Sequence, residues 1–372
     1  MATLNEGQGK VTVAASRKEQ LNRTFRRDQK VWDKCASSYE KHVVNGHPDI
    51  RAYEEFEEEL LDDILQHLIK IRGSQLSLYD IGCGSARIHL RYGLKTTRLS
   101  DLSPPPDRSV SNRQLCKKKY RFNRRLSDSL VSVSGIDFSS QMIELATSKL
   151  VGAGLKSRLG DWLVLECGSA FDLPPLPSGP MPIVVNVCNS IGVMQGPEGA
   201  IKLFKTMRRM VEPTGGIAII SAYRKEAVKE YAINNYESTM NVSGQPRWLK
   251  PDTYARPDYK LSPQMYKTAG NTDQSIIVDV FGQDGKLVRE GLKLTRDVLE
   301  VERTIETGHI RTYTDYESYW YSFDQIGSWI REYWPKGKTY HIEGKRLDRK
   351  RAVPVQLAIL DTNNLLRGFF KE

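Results

Sequence analysis

Apolar and polar residues follow two different periods along the chain, and the changes between them outline the predicted elements. From Trp32 to about Ile71 the pattern is helical, with an apolar stripe opposite acidic residues: Tyr53, Phe56, Leu60, Leu61, Ile64, Leu65, Leu68 and Ile69. Short apolar runs then alternate with helix-like patterns, and the runs are LSLYDIG, SVSGIDFS, WLVLECGSA, PIVVNVCNS and GGIAIISAY. This alternation predicts βαβ units and a parallel sheet.

The pattern changes after Tyr236. Residues 237–273 lack a clear period, and residues 275–306 alternate like antiparallel strands around a QDGK turn. The segment YESYWYSFDQIGSWIREYW predicts an aromatic helix, and VPVQLAIL predicts a closing strand. We therefore divide the chain as follows: a disordered basic tail (1–29), an N-terminal cap with a ligand-binding core (30–236), a substrate-side insertion or lid (237–345), and the closing strand and tail of the core (346–372).

Composition places the chain among soluble proteins. Its mean hydropathy is −0.48, and no stretch reaches the ~18 apolar residues of a membrane helix. The N-terminus lacks the apolar centre of a secretory signal. The cysteines are odd in number, five, with no CxxC pair, which predicts reduced thiols in the cytoplasm and no metal site.

The net charge of +10 permits an anionic partner without naming one. Basic residues cluster in SRKEQLNRTFRRDQK near the start, in CKKKYRFNRR at 116–125 and in GKRLDRKR at 344–351. We interpret all three clusters first as solvated loops or tails, because they lie outside the predicted core.

A glycine cluster follows the first predicted strand. The motif DIGCGSA places Gly82 and Gly84 where a side chain would block the approach of a ligand to the backbone. It is not GxGxxG, because Arg87 takes the third position, and no GKS or GKT follows, so a phosphate loop is disfavoured. Asp137 ends the second strand, where a carboxylate can accept hydrogen bonds from two ribose hydroxyls. Alternatively Asp137 only caps the next helix, which Ser139 or Ser140 can also do.

Five motifs occur in an order that resembles class I S-adenosylmethionine-dependent methyltransferases: LYDIGCGSA, GIDFSSQMIELA, LECGSAFDLP, VVNVCNSIGVM and MVEPTGGIAIIS. The resemblance covers roughly residues 30–233 and the last strand. It implies a Rossmann-like seven-stranded α/β methyltransferase sheet, with an N-terminal helical cap and an antiparallel insertion before the last strands. It also implies an enzyme of the EC 2.1.1 class that binds S-adenosyl-L-methionine and releases S-adenosyl-L-homocysteine.

The resemblance assigns cofactor-site roles by position: Asp80, Gly82 and Gly84 at the methionine end, Asp137 at the ribose, Phe138 on the adenine face, Ser169 and Ala170 at the adenine edge, Asn189 near the methyl group, and Tyr39 closing the pocket from the cap. Two departures from the family pattern stand out. Ser169 replaces the usual acid, so the adenine amino group would be bound by backbone or by Asp172. About fifty residues separate Gly84 from Asp137, where a single helix normally fits in about twenty. We interpret the additional basic residues, roughly 95–130, first as a surface loop. The alternatives are a nucleic-acid-binding arm and a translated non-coding segment.

For the methyl acceptor, the second half resembles the glycine- and sarcosine-type N-methyltransferases. The resemblance rests on CNSIGVM, GGIAIISAYRK and the later YTDYESY with IGSWI. It implies a small amine acceptor, with Asn189 orienting the amine and Arg224 binding a substrate carboxylate through its two-pronged guanidinium. Alternatively, Arg224 faces solvent. The aromatic residues that would wall the acceptor pocket, or form the core of a lid, are Tyr313, Tyr316, Tyr319, Trp320 and Tyr321.

An RNA methyltransferase is the alternative function. The basic tail and KKKYRFNRR suit phosphate and base contacts. Against it, the fourth strand ends in NVCNS rather than an NPPY-like tetrapeptide, and no accessory RNA-binding domain is recognisable. We therefore favour a small-molecule acceptor, with nucleic acid possible as a partner but not favoured and no membrane contact. The residues leave open N- or O-methylation and the oligomeric state.

Overall fold

The structure is a computed structural model that describes a defined part of the chain: residues 29–30, 32–33, 36, 48–73, 75–103, 120–225, 275–281, 287–295, 309–311, 317–335, 338–344 and 355–370. Residues 1–28 of the predicted tail (1–29), Tyr39 and much of the predicted lid lie outside the described residues. Tyr313 and Tyr316 lie outside them as well.

Helices and strands alternate along the described residues as the sequence pattern predicts. The helices are α1 (Pro48–Arg72), α2 (Arg87–Thr96), α3 (Arg124–Ser129), α4 (Ser140–Gly152), α5 (Gly196–Val211) and α6 (Phe323–Tyr333). The strands are β1 (Leu76–Ile81), β2 (Leu130–Asp137), β3 (Leu163–Cys167), β4 (Met181–Asn186), β5 (Ile217–Tyr223), β6 (Ser275–Phe281), β7 (Leu287–Thr295), β8 (His309–Arg311), β9 (Glu317–Tyr319), β10 (Thr339–Glu343) and β11 (Val355–Asp361).

Among the described residues, seven strands form one sheet in the order β10-β11-β5-β4-β1-β2-β3. Strands β1 to β5 pair in parallel, whereas β11 lies antiparallel between β5 and β10. Every residue of β4, β5 and β11 is buried, which explains why these strands are mostly apolar. The predicted seven-stranded α/β sheet is confirmed, as is the antiparallel pairing of β6 with β7.

Helices cover both faces of the sheet. Ile64, Leu65 and Leu68 of α1 are fully buried on one face, and Phe204 and Met207 of α5 are fully buried on the other. In open sheets with helices on both faces, small ligands bind in the crevice at the carboxyl ends of the parallel strands. No helix among the described residues has the length and apolar content needed to cross a membrane.

The helix prediction for the aromatic segment is wrong over its first part. Residues Glu317–Tyr319 form a strand, and the helix begins only after Ser322, whose Oγ accepts a hydrogen bond from the Gln325 N–H at 3.1 Å. Between them, the carbonyl of Tyr321 accepts hydrogen bonds from the Gln356 side chain at 2.7 Å and from the Lys225 N–H at 3.1 Å. These long-range partners hold the backbone extended, and aromatic spacing alone does not reveal them.

Two further elements were not predicted. Helix α3 lies within the supposed surface loop at 95–130, and it buries Leu126 while the nearby Tyr120 is 5% exposed. Strand β10 forms one edge of the sheet, and its residues are only half-buried. The described ends of the supposed loop are therefore packed parts of the domain.

Gly135 in β2 offers a test of how tightly this layer is packed. A Cβ at Gly135 would lie 2.4 Å from Cε1 of His89, which is fully buried. Gly135→Ala is expected to lower the free energy of unfolding by about 1–3 kcal/mol, because the ring has no space to move into. Urea unfolding measures this. Gly152→Ala is the control, since no atom lies within 4 Å of its Cβ; equal stability of the two variants would contradict the prediction.

Candidate functional site

The glycine turn after β1 lies at the carboxyl end of the sheet. Gly82 and Gly84 both adopt positive φ, at 75° and 50°. The N–H groups of Gly82 and Cys83 donate to the carbonyl of Ile136 at 2.8 and 3.1 Å, which ties the turn to β2. A Cβ at Gly82 would lie 3.1 Å from the side chains of Ser190 and Met194. The turn therefore needs glycine at Gly82 for its backbone conformation and for space.

Asp137 joins this turn to the start of α4. Its Oδ2 accepts a hydrogen bond from the Gly84 N–H at 3.0 Å, and its Oδ1 accepts one from the Ser139 N–H at 2.9 Å. Burial raises the pKa of the Asp137 carboxyl, and these two amide hydrogen bonds oppose the rise. The helix cap is a different residue: the Ser139 Oγ accepts from the Met142 N–H. Asp137 is therefore not needed as the cap of α4.

A pocket opens beside the turn, with about 410 Å³ of empty space that includes its open mouth. Its lining comes from the ends of four parallel strands and the segments that follow them: Gly82, Ile136, Asp137, Phe138, Gly168, Ala170, Phe171, Val193, Met194 and Gln195. The walls are mostly apolar, and Asp137 is the acidic residue among the lining side chains. This arrangement suits a flat apolar group with neighbouring hydroxyls.

Four of the predicted site residues line the pocket: Gly82, Asp137, Phe138 and Ala170. Gly84 contacts it indirectly, through its hydrogen bond to Asp137. Ser169 is not among the lining residues, and its Oγ accepts a hydrogen bond from the Phe171 N–H at 3.2 Å. The sequence analysis did not identify Phe171, Met194 or Gln195. Phe171 stands within the quoted motif LECGSAFDLP, so its position beside Ala170 was the available signal.

Two residues of the N-terminal segment form hydrogen bonds beside this pocket. The Gln29 side chain donates to the carbonyl of Phe138 at 2.8 Å, and the Ser139 hydroxyl donates to Asp33 at 2.6 Å. Both contacts lie next to Asp137 in the chain. Neither residue was identified from the sequence, because a polar tail gives no period from which to predict a contact.

Asp80 lies in β1, two residues before Gly82, and is 2% exposed. Its Oδ1 has no hydrogen-bond partner among the described residues. Burial raises the pKa of its carboxyl to about 7; Arg87 lowers it, while Asp137 and Glu57 raise it further. A buried carboxyl with a free acceptor atom is an unusual cost to stability unless a ligand compensates it.

Acids on α1 form a buried ionic network with α2. Glu54, Glu57 and Glu58 lie within 4 Å of the Arg87 guanidinium, at 3.6, 2.8 and 3.5 Å. The Oε1 of Glu57 also accepts a hydrogen bond from the Cys188 N–H at 2.9 Å, just after β4. The sequence analysis placed the acids opposite the buried stripe of α1, and for these three residues that placement is wrong.

The signal for this network was the spacing of the basic residues on α2. Arg87, Arg91 and Lys95 recur every four residues and so share one helix face. Arg91 pairs with Glu58 and with Asp62, and Lys95 also pairs with Asp62. The network holds the cap helix against the end of the sheet that carries the pocket.

Asn189 and Arg224 both have internal partners. The Oδ1 of Asn189 accepts a hydrogen bond from the Tyr223 N–H at 3.0 Å, and Asn189 itself adopts φ 55°. The guanidinium of Arg224 pairs with Glu343 of β10, while its Nε is buried without a partner among the described residues. Neither side chain is among those lining the pocket. Their assigned roles stay predictions.

Comparisons with known proteins give similarities of fold. No protein-family model matches the chain, and no curated protein matches it. An S-adenosylmethionine-dependent methyltransferase from Clostridium acetobutylicum ATCC 824 is similar in structure, with 12% identity over 89% of this chain and 98% of that chain and a TM-score of 0.40.

Two further solved structures are similar at the same level. The CcbJ methyltransferase from Streptomyces caelestis shows 12% identity over 88% of this chain and 96% of its own, with a TM-score of 0.40. The DhpI-SAM-HEP complex shows 11% identity over 90% of this chain and 95% of that chain, with a TM-score of 0.41. Similarities of this size concern the fold and do not indicate an activity.

Proposed function

We propose that the protein is an S-adenosylmethionine-dependent methyltransferase that acts on a small molecule. The observation that supports this most directly is the Asp137 carboxylate, held at the edge of an apolar pocket by the Gly84 and Ser139 amides. A carboxylate at the end of β2, beside a glycine turn after β1, is suited to two neighbouring ribose hydroxyls.

The residues present fit this cofactor. Phe138, Ala170 and Phe171 supply apolar surface for adenine, and Asp137 would bind the ribose. The unpartnered Oδ1 of Asp80 is an acceptor suited to the ammonium of the methionine end. When bound, the cofactor supplies an activated methyl group on a sulfonium, so the protein has to orient the acceptor and exclude water.

A small acceptor is supported by the closed surroundings of the β4 and β5 ends. Tyr53 of α1 contacts Tyr223 with ring centroids 5.8 Å apart, and Tyr223 contacts Trp320 at 5.0 Å. Trp320 and Tyr321 are buried, at 4% and 2% exposed. These aromatic residues and α1 pack closely around the ends of β4 and β5, which supports a small amine over RNA as the acceptor.

Calorimetric titration with S-adenosylhomocysteine tests the cofactor assignment. We expect binding of one molecule per chain, and no detectable binding would contradict the proposal. A screen of small amines and amino acids for uptake of a labelled methyl group then tests the acceptor class. Methyl uptake by RNA but by no small molecule would support the alternative enzyme.

The titration of Asp80 predicts how cofactor binding depends on pH. Its pKa of about 7 means that the folded protein holds a proton that the unfolded chain loses near pH 4. The contribution of Asp80 to stability therefore falls as the pH rises from about 4 to about 7. Only the deprotonated carboxyl pairs with an ammonium, so S-adenosylhomocysteine affinity is expected to rise about tenfold between pH 6 and pH 8.

Asp80→Asn is expected to flatten this pH profile. Asp161→Asn, a change at an exposed carboxyl before β3, is expected to leave the profile unchanged. Calorimetry at several pH values measures both variants. An identical pH dependence in wild type and Asp80→Asn would remove Asp80 from the site.

We propose that Arg224 binds a carboxylate on the acceptor. Because Arg224 also pairs with Glu343, the test has to separate these two roles. Arg224→Leu is expected to raise the acceptor KM at least about tenfold with little change in cofactor affinity, because a charged group in a desolvated site loses its partner. The double variant Arg224→Leu/Glu343→Leu removes both internal charges. If the double variant restores the wild-type KM, Arg224 only neutralises Glu343; a KM that stays high supports the direct contact.

A further inference from the structure

A basic surface lies at the amino ends of β2 and β3, at the opposite end of the strands from the pocket. We call it the amino-end surface and define it as residues 97–101, 121–125 and 156–162. Contacts join its parts: the Arg98 guanidinium lies 5.9 Å from the ring centre of Phe122, and Arg158 Nη1 donates to Thr97 Oγ1 at 2.8 Å. The three segments therefore form one continuous face.

Most cations of this face have no carboxylate partner within the part of the chain that the structure describes. Arg98, Arg121, Arg125 and Lys156 are exposed, and none forms an ion pair with a described residue. Arg158 donates only to hydroxyl and carbonyl oxygens of Thr96 and Thr97.

The remaining charges leave the face strongly positive. Arg124 is the exception among its cations, since it pairs with Asp128 at 3.7 Å at the exposed start of α3. Asp101 and Asp161 are the acidic residues within the defined segments. Unpaired cations outnumber them, so the face attracts an anion.

Aromatic rings lie between these charges. Phe122 is 36% exposed, and the Arg98 guanidinium lies 5.9 Å from its ring centre. The Arg158 guanidinium lies 3.8 Å from the ring centre of Trp162. Leu99, at 41% exposed, adds apolar surface next to Arg98. The positive charges alone can bind phosphate groups. Exposed rings and guanidinium planes additionally provide surfaces on which unpaired bases can stack.

We propose that the amino-end surface binds a single-stranded nucleic acid. An acidic protein segment would use the cations but would gain little from an exposed Phe122, whereas a base can stack on that ring beside Arg98. The eight residues of β2 separate this face from the pocket, which at ~3.3 Å per residue is roughly 25 Å. Binding of nucleic acid at this face is therefore separate from the pocket, and it does not depend on the proposed enzyme activity.

The test measures fluorescence anisotropy of a labelled single-stranded 16-nucleotide RNA with the full chain. The variant Arg98→Glu/Arg121→Glu/Arg125→Glu is compared with Lys70→Glu/Lys205→Glu/Arg367→Glu, which changes the net charge equally on exposed residues elsewhere. We expect at least tenfold weaker binding in the first variant than in the second. Its slope of log affinity against log salt should be smaller by about 2, since each phosphate contact on a single strand contributes about 0.7.

Phe122→Ala tests stacking without a change in charge. It is expected to weaken RNA binding about fivefold or more, from about 1 kcal/mol or more per stacked base. Thermal unfolding checks that every variant is folded. Equal loss in the two triple variants would overturn the proposal. Two other results would also overturn it. The first is unchanged binding of Phe122→Ala together with equal affinity for a duplex of the same length. The second is tighter binding of a polyglutamate peptide than of RNA.

Discussion

Asp137→Ala is expected to weaken S-adenosylhomocysteine binding by at least a hundredfold. The carboxylate would accept hydrogen bonds from two ribose hydroxyls, and hydrogen bonds to a charged group contribute about 1.5–3 kcal/mol each. Losing about 3 kcal/mol corresponds to more than a hundredfold in affinity. Alanine also removes the acceptors of the Gly84 and Ser139 amides, so the glycine turn loses its connection to the start of α4. Calorimetric titration measures the change.

Two companion variants separate the contributions of Asp137. Asp137→Asn keeps one acceptor oxygen and the shape of the side chain, so its affinity is expected to lie between those of wild type and alanine. Asp161→Ala, at an exposed position just before β3, is expected to bind like wild type. Wild-type affinity in a folded Asp137→Ala protein would falsify the assignment of the β2 end to the cofactor.

Arg87→Met is expected to lower the free energy of unfolding by about 3–5 kcal/mol, because it removes a cation that three buried carboxylates share, and of these Glu58 retains Arg91. Glu54, Glu57 and Glu58 are 8%, 4% and 3% exposed, and all three contact the same guanidinium. Without Arg87, they would repel one another between α1 and α2. Urea unfolding monitored by circular dichroism measures the loss.

Arg208→Met is the matched control for Arg87. Arg208 pairs with Glu212 on the surface, where the two side chains are 41% and 44% exposed, so its loss is expected to cost at most about 1 kcal/mol. Replacing Glu54 and Glu57 with Gln in the Arg87→Met background should recover part of the stability. Equal stability of Arg87→Met and Arg208→Met would show that the network contributes little.

The parallel strands were predictable because burial on both sides leaves little choice of residue. β4 and β5 are buried at every position, and their sequences are the mostly apolar runs MPIVVN and IAIISAY. Strand β10 escaped prediction because it lies at the sheet edge, where half-buried residues such as Tyr340 and His341 show no apolar run. Edge strands depend on their neighbour for hydrogen bonds, and the sequence of the strand does not show that neighbour.

The residues of the candidate site also divide into those that the sequence pattern predicts and those that it does not. Gly82 and Asp137 were identified because each directly follows or ends a strand, and the ends of parallel strands meet at one edge. Gln29 and Asp33 reach the pocket from a distant, polar part of the chain, and no local pattern marks them. Tyr39, which the resemblance assigned to this closing role, lies outside the described residues.

The count of seven strands was implied by the family resemblance. The sequence pattern by itself determined the alternation of helices with the parallel strands and the strand ends at which a ligand can bind. These features follow from short-range periodicity and from glycine conformation, which neighbouring residues specify. Only the tertiary structure decided the partners of Glu57, Asn189 and Arg224. It also decided that the ends of the 95–130 segment form a packed basic face. Such contacts join residues far apart in the chain. The charge or polarity of a residue does not specify which distant group will become its partner.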